Sequence, residues 1–159
     1  MRSNDLPVYA FFFMLVAVVC LMGSVFGAGA SGEWYQNLYK PTITPPPIVF
    51  MIVWPILYVL IAFAGARIYL SHKEERVSAL KVWAAQLLVN GLYSFSFFYL
   101  ESPILGFINT VVLFLLVAIL LMKTFQLDRK AFLCLTPYAA WICFATLLSF
   151  MIMVHPFVG

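Results

Sequence analysis

Three sets of aromatic and amide side chains carry what chemistry this chain can offer. Gln86, Asn90, Tyr93 and Phe97 recur at spacings of 4, 3 and 4, which places them on one stripe of a helix. Trp54 and Tyr58 stand four apart and share a helical face. Tyr138, Trp141, Ala145 and Leu148 recur at 3, 4 and 3 and share another. Trp34, Tyr35 and Tyr39 crowd a polar, proline-rich stretch that runs from Trp34 to Pro47. Walls of this kind present indole and phenol faces, a few amide and hydroxyl groups, and no charge. They suit a flat, mostly apolar molecule, stacked between rings and oriented by a few hydrogen bonds. The same spacing also serves plain packing, and Trp or Tyr near a span end also serves as an interface anchor. Spacing alone leaves both readings open.

Other chemistry is absent from the residue pattern. There is no Ser/His/Asp set, no carboxylate pair within an apolar run and no Gly-rich phosphate loop. His72 and His155 fall at opposite ends of the expected fold, so they cannot jointly ligate a haem iron. No metal site is expected, and any tetrapyrrole would be held by stacking. Cys20, Cys134 and Cys143 are far apart inside apolar runs, with no CxxC pair, and read as small buried hydrophobes. No basic patch interleaved with aromatics lies on a polar face, so no nucleic-acid partner is expected.

The elements that hold these residues must sit in lipid. The 159 residues are 65% hydrophobic and 9% charged, against about a quarter charged in soluble domains. Long continuous apolar runs favour helices over a barrel. The expected fold is all-α: one integral membrane domain, residues 1–159, with five transmembrane helices. The spans fall at about 6–29, 48–70, 78–100, 104–124 and 129–154. Ala28-Gly29-Ala30 resembles a signal-peptidase site, but the run before it is as long as a span. Gly23 and Gly27 form a GxxxG pair that permits close helix approach. Residues 30–47 form a long loop between helices 1 and 2. Pro55 and Pro137 should bend their helices, and Asp128 is a candidate N-cap.

Basic residues are unevenly placed. Arg2, Arg67, Lys73, Arg76, Lys81, Lys123, Arg129 and Lys130 fall at one end, and only Lys40 at the other. The positive-inside rule then puts the N-terminus in the cytoplasm and the 30–47 loop outside. The setting this implies is a multi-pass protein of a bacterial cell membrane.

The opening stretch also carries a resemblance. Trp34-Tyr35…Leu38…Lys40-Pro41…Pro45-Pro46…Val49-Phe50…Val53-Trp54…Leu57-Tyr58 resembles the signature of the TspO/MBR family, which includes tryptophan-rich sensory proteins, translocator proteins and the peripheral-type benzodiazepine receptor. Gly23-Ser24 in helix 1, Gln86-Leu87…Asn90…Ser94…Phe97-Phe98 in the third helix and Pro137-Tyr138…Trp141…Phe144-Ala145 in the fifth are similar to the family's other segments, in order. Two positions depart: Tyr93 stands where the family usually has Trp, and Ser149 where many members have Asn.

The resemblance implies a five-helix bundle, commonly a homodimer, that binds porphyrins such as protoporphyrin IX and, in some members, sterols or drug-like ligands. Carried over position by position, the ligand-binding candidates are Trp34, Trp54, Tyr58, Asn90, Tyr93, Tyr138, Trp141, Ala145 and Leu148. No cofactor is required; the porphyrin is the ligand, with membrane lipid around it. The expected role is a tetrapyrrole sensor, carrier or regulator, with Lys40 placed to meet a propionate at the mouth. One alternative is light- or oxygen-dependent porphyrin breakdown, with Trp54 and Trp141 as the redox-active groups. Another is transport of sterols or small molecules. The sterol pattern needs Tyr followed by Lys or Arg. The last helix instead has Phe150 and His155, and no Lys or Arg after Lys130.

Overall fold

Each apolar run winds into a helix, because backbone in hydrocarbon must satisfy its hydrogen bonds within its own segment. The computed structural model describes residues 5–27 and 32–155. Among them no β-strand forms. The helices are α1 (Leu6–Phe26), α2 (Glu33–Asn37), α3 (Pro47–Tyr69), α4 (Arg76–Ser94), α5 (Pro103–Leu127) and α6 (Arg129–Val154). A π-helical turn, Phe95–Tyr99, continues α4. Prolines open α3 and α5, where a missing N–H is no loss. The Ser102 hydroxyl accepts from the Leu105 N–H at 3.2 Å and caps α5. Both α3 and α6 stay helical through Pro55 and Pro137.

Several boundaries differ from expectation. The 30–47 stretch is not loop throughout, since Glu33–Asn37 makes a short helix. Helix α5 runs three residues past 124, so Asp128 is the whole α5–α6 connection. The Ala28-Gly29-Ala30 site lies outside the described residues. Four helices, α1, α3, α5 and α6, are long and apolar enough to cross a membrane. The exception is α4, expected as the third span. It carries Arg76, Lys81, Gln86 and Asn90, and the last two turn into the protein, at 0% and 6% exposure.

The long helices close into a ring in the order α1, α3, α6, α5, α4, with α4 returning to α1 and also touching α3 across the middle. The core between them holds Phe12 and Val16 of α1, Leu57 and Ile61 of α3, Trp83 of α4, Val117 of α5 and Ile142 of α6. Outward faces are apolar, as a lipid-facing surface requires; Leu21, Met51, Leu88, Leu115 and Leu147 are all exposed. The GxxxG pair of α1 finds its partner within the same chain. A Cβ on Gly23 or Gly27 would lie 3.7 or 3.8 Å from the Ser94 hydroxyl of α4.

One end of the ring is tied by charge. Arg67 at the end of α3 donates to both Asp128 oxygens, at 2.5 and 3.4 Å, and Asp128 Oδ1 accepts from the Ala131 N–H at 2.8 Å, capping α6. Burial works against the Asp128 charge, but Arg67 and the Ala131 N–H outweigh it and hold the carboxyl below its ordinary 3.8. A carboxyl lowered on folding adds stability that is complete above its unfolded value and lost as pH falls through its folded value. Asp128→Asn keeps the cap and removes the charge. It is expected to cost about 1 kcal/mol at neutral pH. Thermal unfolding in detergent should show the wild type losing its advantage below pH 3.8, while the variant stays flat. Equal melting at neutral pH would contradict this.

Candidate functional site

At the end of the ring away from Asp128, the polar-aromatic stretch folds across the helices. Helix α2 lays Trp34 edge-on to Phe97 (centroids 5.4 Å, 69°) and Tyr35 edge-on to Phe98 (5.4 Å, 62°). Leu38, just past α2, is 2% exposed and packs with Phe97, Leu148 and Ile152. The π-helical turn makes this possible. Its wider winding lets the neighbours Phe97 and Phe98 both meet Tyr35. Tyr93 stacks flat on Phe97, at 5.5 Å and 8°. The stretch ends against α6, where Tyr39 meets His155 at 5.8 Å. The cover is therefore packed onto the bundle rather than draped over it.

Lys40 is used differently from expectation. Its ammonium donates to the carbonyls of Tyr35, Gln36 and Leu38, at 2.6, 3.1 and 3.4 Å, and sits 4.6 Å over the Tyr35 ring. It closes the C-terminal end of α2, where the helix dipole favours a cation. An ammonium with three acceptors has no N–H left for a propionate. Burial under this cover also pushes the Tyr35 phenol up.

Below the cover, a chain of hydrogen bonds crosses the bundle. The Tyr58 hydroxyl donates to Asn90 Oδ1 at 3.2 Å, Asn90 Nδ2 donates to the Tyr138 hydroxyl at 3.0 Å, and that hydroxyl donates to Gln86 Oε1 at 2.8 Å. It joins α3, α4 and α6. Tyr138 and Asn90 are thus committed to each other in the core. Trp83 is likewise structural: 2% exposed, it donates its indole N–H to the Ile61 carbonyl at 3.0 Å.

The remaining rings form two contact groups, one around Trp54 and one around Trp141. Trp54 leans on Tyr58 (5.4 Å, 31°), and Trp141 meets Phe50 edge-on (5.6 Å, 74°) and Phe144 (5.7 Å, 45°). A groove of about 600 Å³ opens between α3 and α6. Its lining includes Pro45 of the cover, Val53, Leu57, Pro137, Trp141 and Phe144. The Trp141 indole N–H is buried with no hydrogen-bond partner, as is Gln86 Nε2. Buried donors of this kind are uncommon and call for an explanation.

The nine candidates therefore divide. Trp34, Tyr93 and Leu148 gather beneath the cover with Phe97. Trp54, Tyr58 and Trp141 pack against the main core near the groove, and Phe50, touching Trp141, joins the two groups. Ala145 is half-buried on α6 between Trp141 and Leu148. Asn90 and Tyr138 are buried in the core, bonded to each other, and do not line the groove. Phe50, Phe144 and Leu38 stand in the signature stretches but are not among the ligand-binding candidates. The first two carried a signal, standing four before Trp54 and three after Trp141. Among the described residues no group of His, Cys, Asp or Glu is placed to hold a metal ion.

The family model of the TspO/MBR family matches residues 11–155. The chain belongs to the TspO/MBR family. It is an integral membrane protein. Among its relatives is the tryptophan-rich protein TspO of Chlorobaculum tepidum, 31% identical over 141 residues, covering 87% of this chain and 89% of that one. Protein CrtK of Rhodobacter capsulatus is 32% identical over 148 residues, 92% and 91% of the two chains. The translocator protein of Ovis aries is 28% identical over 135 residues, 81% and 78%. The TspO/MBR match takes in both the α2 cover and α6, as far as residue 155. Tyr93 and Ser149, the two departures that the resemblance marks, lie within hydrogen-bonding reach of each other.

Proposed function

We propose that this protein binds a porphyrin-type tetrapyrrole against the aromatic wall of Trp54, Tyr58 and Trp141, with the α2 cover above, as a sensor or carrier of such molecules. The observation that carries the reading is the Trp141 indole N–H. It is a buried donor without an acceptor, beside an apolar groove of about 600 Å³. A flat macrocycle offers ring faces for the indoles and a few nitrogen or carboxylate acceptors for that donor. The groove volume lies within the range of small-molecule sites, about 300–1,000 Å³. Relatives named tryptophan-rich sensory protein (Cereibacter sphaeroides) and translocator protein (Ovis aries) are in keeping with a role in sensing or carrying.

In this reading α4 is the fifth span. Its polar side chains turn inward onto Tyr58 and Tyr138 and so are shielded from lipid. The charge bias sets the cover outside and the Arg67–Asp128 end in the cytoplasm, and the homodimer implied by the family is formed through an outer helix face.

Binding is tested by titrating detergent-purified protein with protoporphyrin IX while following tryptophan fluorescence. Saturable quenching is expected. Quenching that rises linearly without saturation would overturn the proposal. Illumination of the complex separates binding from breakdown: a new absorbance species that vanishes in Trp54→Phe with Trp141→Phe would identify the enzyme reading instead.

A further inference from the structure

At the opposite end from the cover, α5 and α6 are joined by Asp128 alone, and a second groove opens between their adjoining turns. It measures about 380 Å³ and is lined by Leu121, Met122, Phe125, Gln126 and Phe132. Phe125 and Phe132 meet edge-on at 5.2 Å. Met122 and Phe125 are 66% and 64% exposed, on a helix long and apolar enough to cross the membrane. The floor is therefore apolar and open to the bilayer.

The rim is basic. The Lys73 ammonium donates to the Gln126 carbonyl, so Lys73 stands at the groove edge. Arg129 and Lys130, both exposed, follow in the first turn of α6, just before Phe132. The nearest acid, Asp128, is already held by Arg67 and the Ala131 N–H. Glu74 and Glu75 are exposed on the loop beyond Lys73. Across this end, residues 67–130 hold seven basic residues (Arg67, Lys73, Arg76, Lys81, Lys123, Arg129 and Lys130) against Glu74, Glu75, Glu101 and Asp128, and Glu101 lies at the far end of α4.

We propose that this groove is a site for an anionic phospholipid. An acyl chain lies along Leu121, Met122, Phe125 and Phe132, and the headgroup phosphate is met by Lys73, Arg129 and Lys130. Charge complementarity selects the headgroup. A zwitterionic lipid would bring its own ammonium against a basic rim, whereas phosphatidylglycerol brings a net negative charge and no cation. Lys73 uses one of its three N–H donors on Gln126 and keeps two for phosphate. The position suits a lipid, because Lys and Arg at a span end mark the headgroup layer, and basic pockets between spans on the cytoplasmic side recognise acidic headgroups.

Native mass spectrometry of the full chain, released from micelles with equal phosphatidylglycerol and phosphatidylcholine, tests the site. Retention of phosphatidylglycerol over phosphatidylcholine is expected. Each basic residue near the surface is worth about fivefold in lipid affinity. Lys130→Gln should therefore cut the preference about fivefold, and Lys73→Gln with Arg129→Gln and Lys130→Gln should abolish it. A melting scan of each variant controls for folding, and the single variant carries the test where the triple variant melts early. Equal retention of the two lipids by the wild type would overturn the proposal, as would a preference that survives Lys130→Gln undiminished. Displacement of the lipid by millimolar glycerol phosphate would show a free-anion site instead and would also overturn it.

Discussion

Gly65→Ala is expected to destabilise the fold by about 3 kcal/mol, as overpacking and a broken buried hydrogen bond together. A Cβ at Gly65 would lie 2.5 Å from Phe12 Cδ1 and 2.6 and 2.7 Å from Trp83 Cε2 and Cζ2. Neither ring has room to yield. Phe12 is 4% exposed and packs edge-on to Trp83 at 4.9 Å. Trp83 is pinned by its bond to the Ile61 carbonyl. Either Trp83 gives up that bond or α1 moves away from α3. Gly23→Ala is the contrast. Its Cβ would meet Ser94 at an ordinary 3.7 Å, and alanine in mid-helix is favoured over glycine by up to about 1 kcal/mol. Thermal unfolding in detergent should separate the two variants clearly. Equal melting temperatures would show that α1, α3 and α4 are not in such close contact at Gly65.

Tyr138→Phe is the second large effect, about 2 kcal/mol. It removes the one hydroxyl that both accepts from Asn90 and donates to Gln86. Two buried amides lose a partner at once, and Gln86 already has an unpaired Nε2. In a water-soluble core each orphaned group would cost about 1–3 kcal/mol. Within a membrane the measured average is nearer about 0.6 kcal/mol per bond, because the unfolded helices also find partners in lipid. The estimate lies between, since Tyr138 is 0% exposed and no lipid reaches it. Tyr58→Phe should cost less, as it frees only one Asn90 acceptor on a half-buried ring. A Tyr58→Phe effect equal to or larger than that of Tyr138→Phe would show that the hydrogen bonds do not run in this order.

Much of this architecture was legible from spacing. The stripe of Gln86, Asn90 and Phe97 does turn inward, since amides in an apolar helix have nowhere better to go. The Asp128 cap was legible as well, from an acidic residue just ahead of an apolar run. What failed was local or depended on tertiary neighbours. Helix α2 has five residues, too few to show a period. The π-helical turn at Phe95–Tyr99 has no sequence signal that separates it from the helix before it. The role of Lys40 required knowing where the carbonyls of α2 point. The groove beside Trp141 exists because α6 lies next to α3 in the ring, and no periodicity in either helix states that neighbour. Trp83, one of only four tryptophans, reads from sequence like the others and is in fact core.

The central claim is that the α2 cover and the Trp54–Trp141 wall act as one ligand-binding unit. It is tested most directly by the affinity for protoporphyrin IX, read from porphyrin absorbance because the variants remove the tryptophan signal. The wild type is compared with Trp34→Ala in the cover and with Trp54→Ala plus Trp141→Ala in the wall. Loss of stacked rings and their buried area should weaken binding by about tenfold or more in each. Saturable binding left unchanged by both variants would contradict the account.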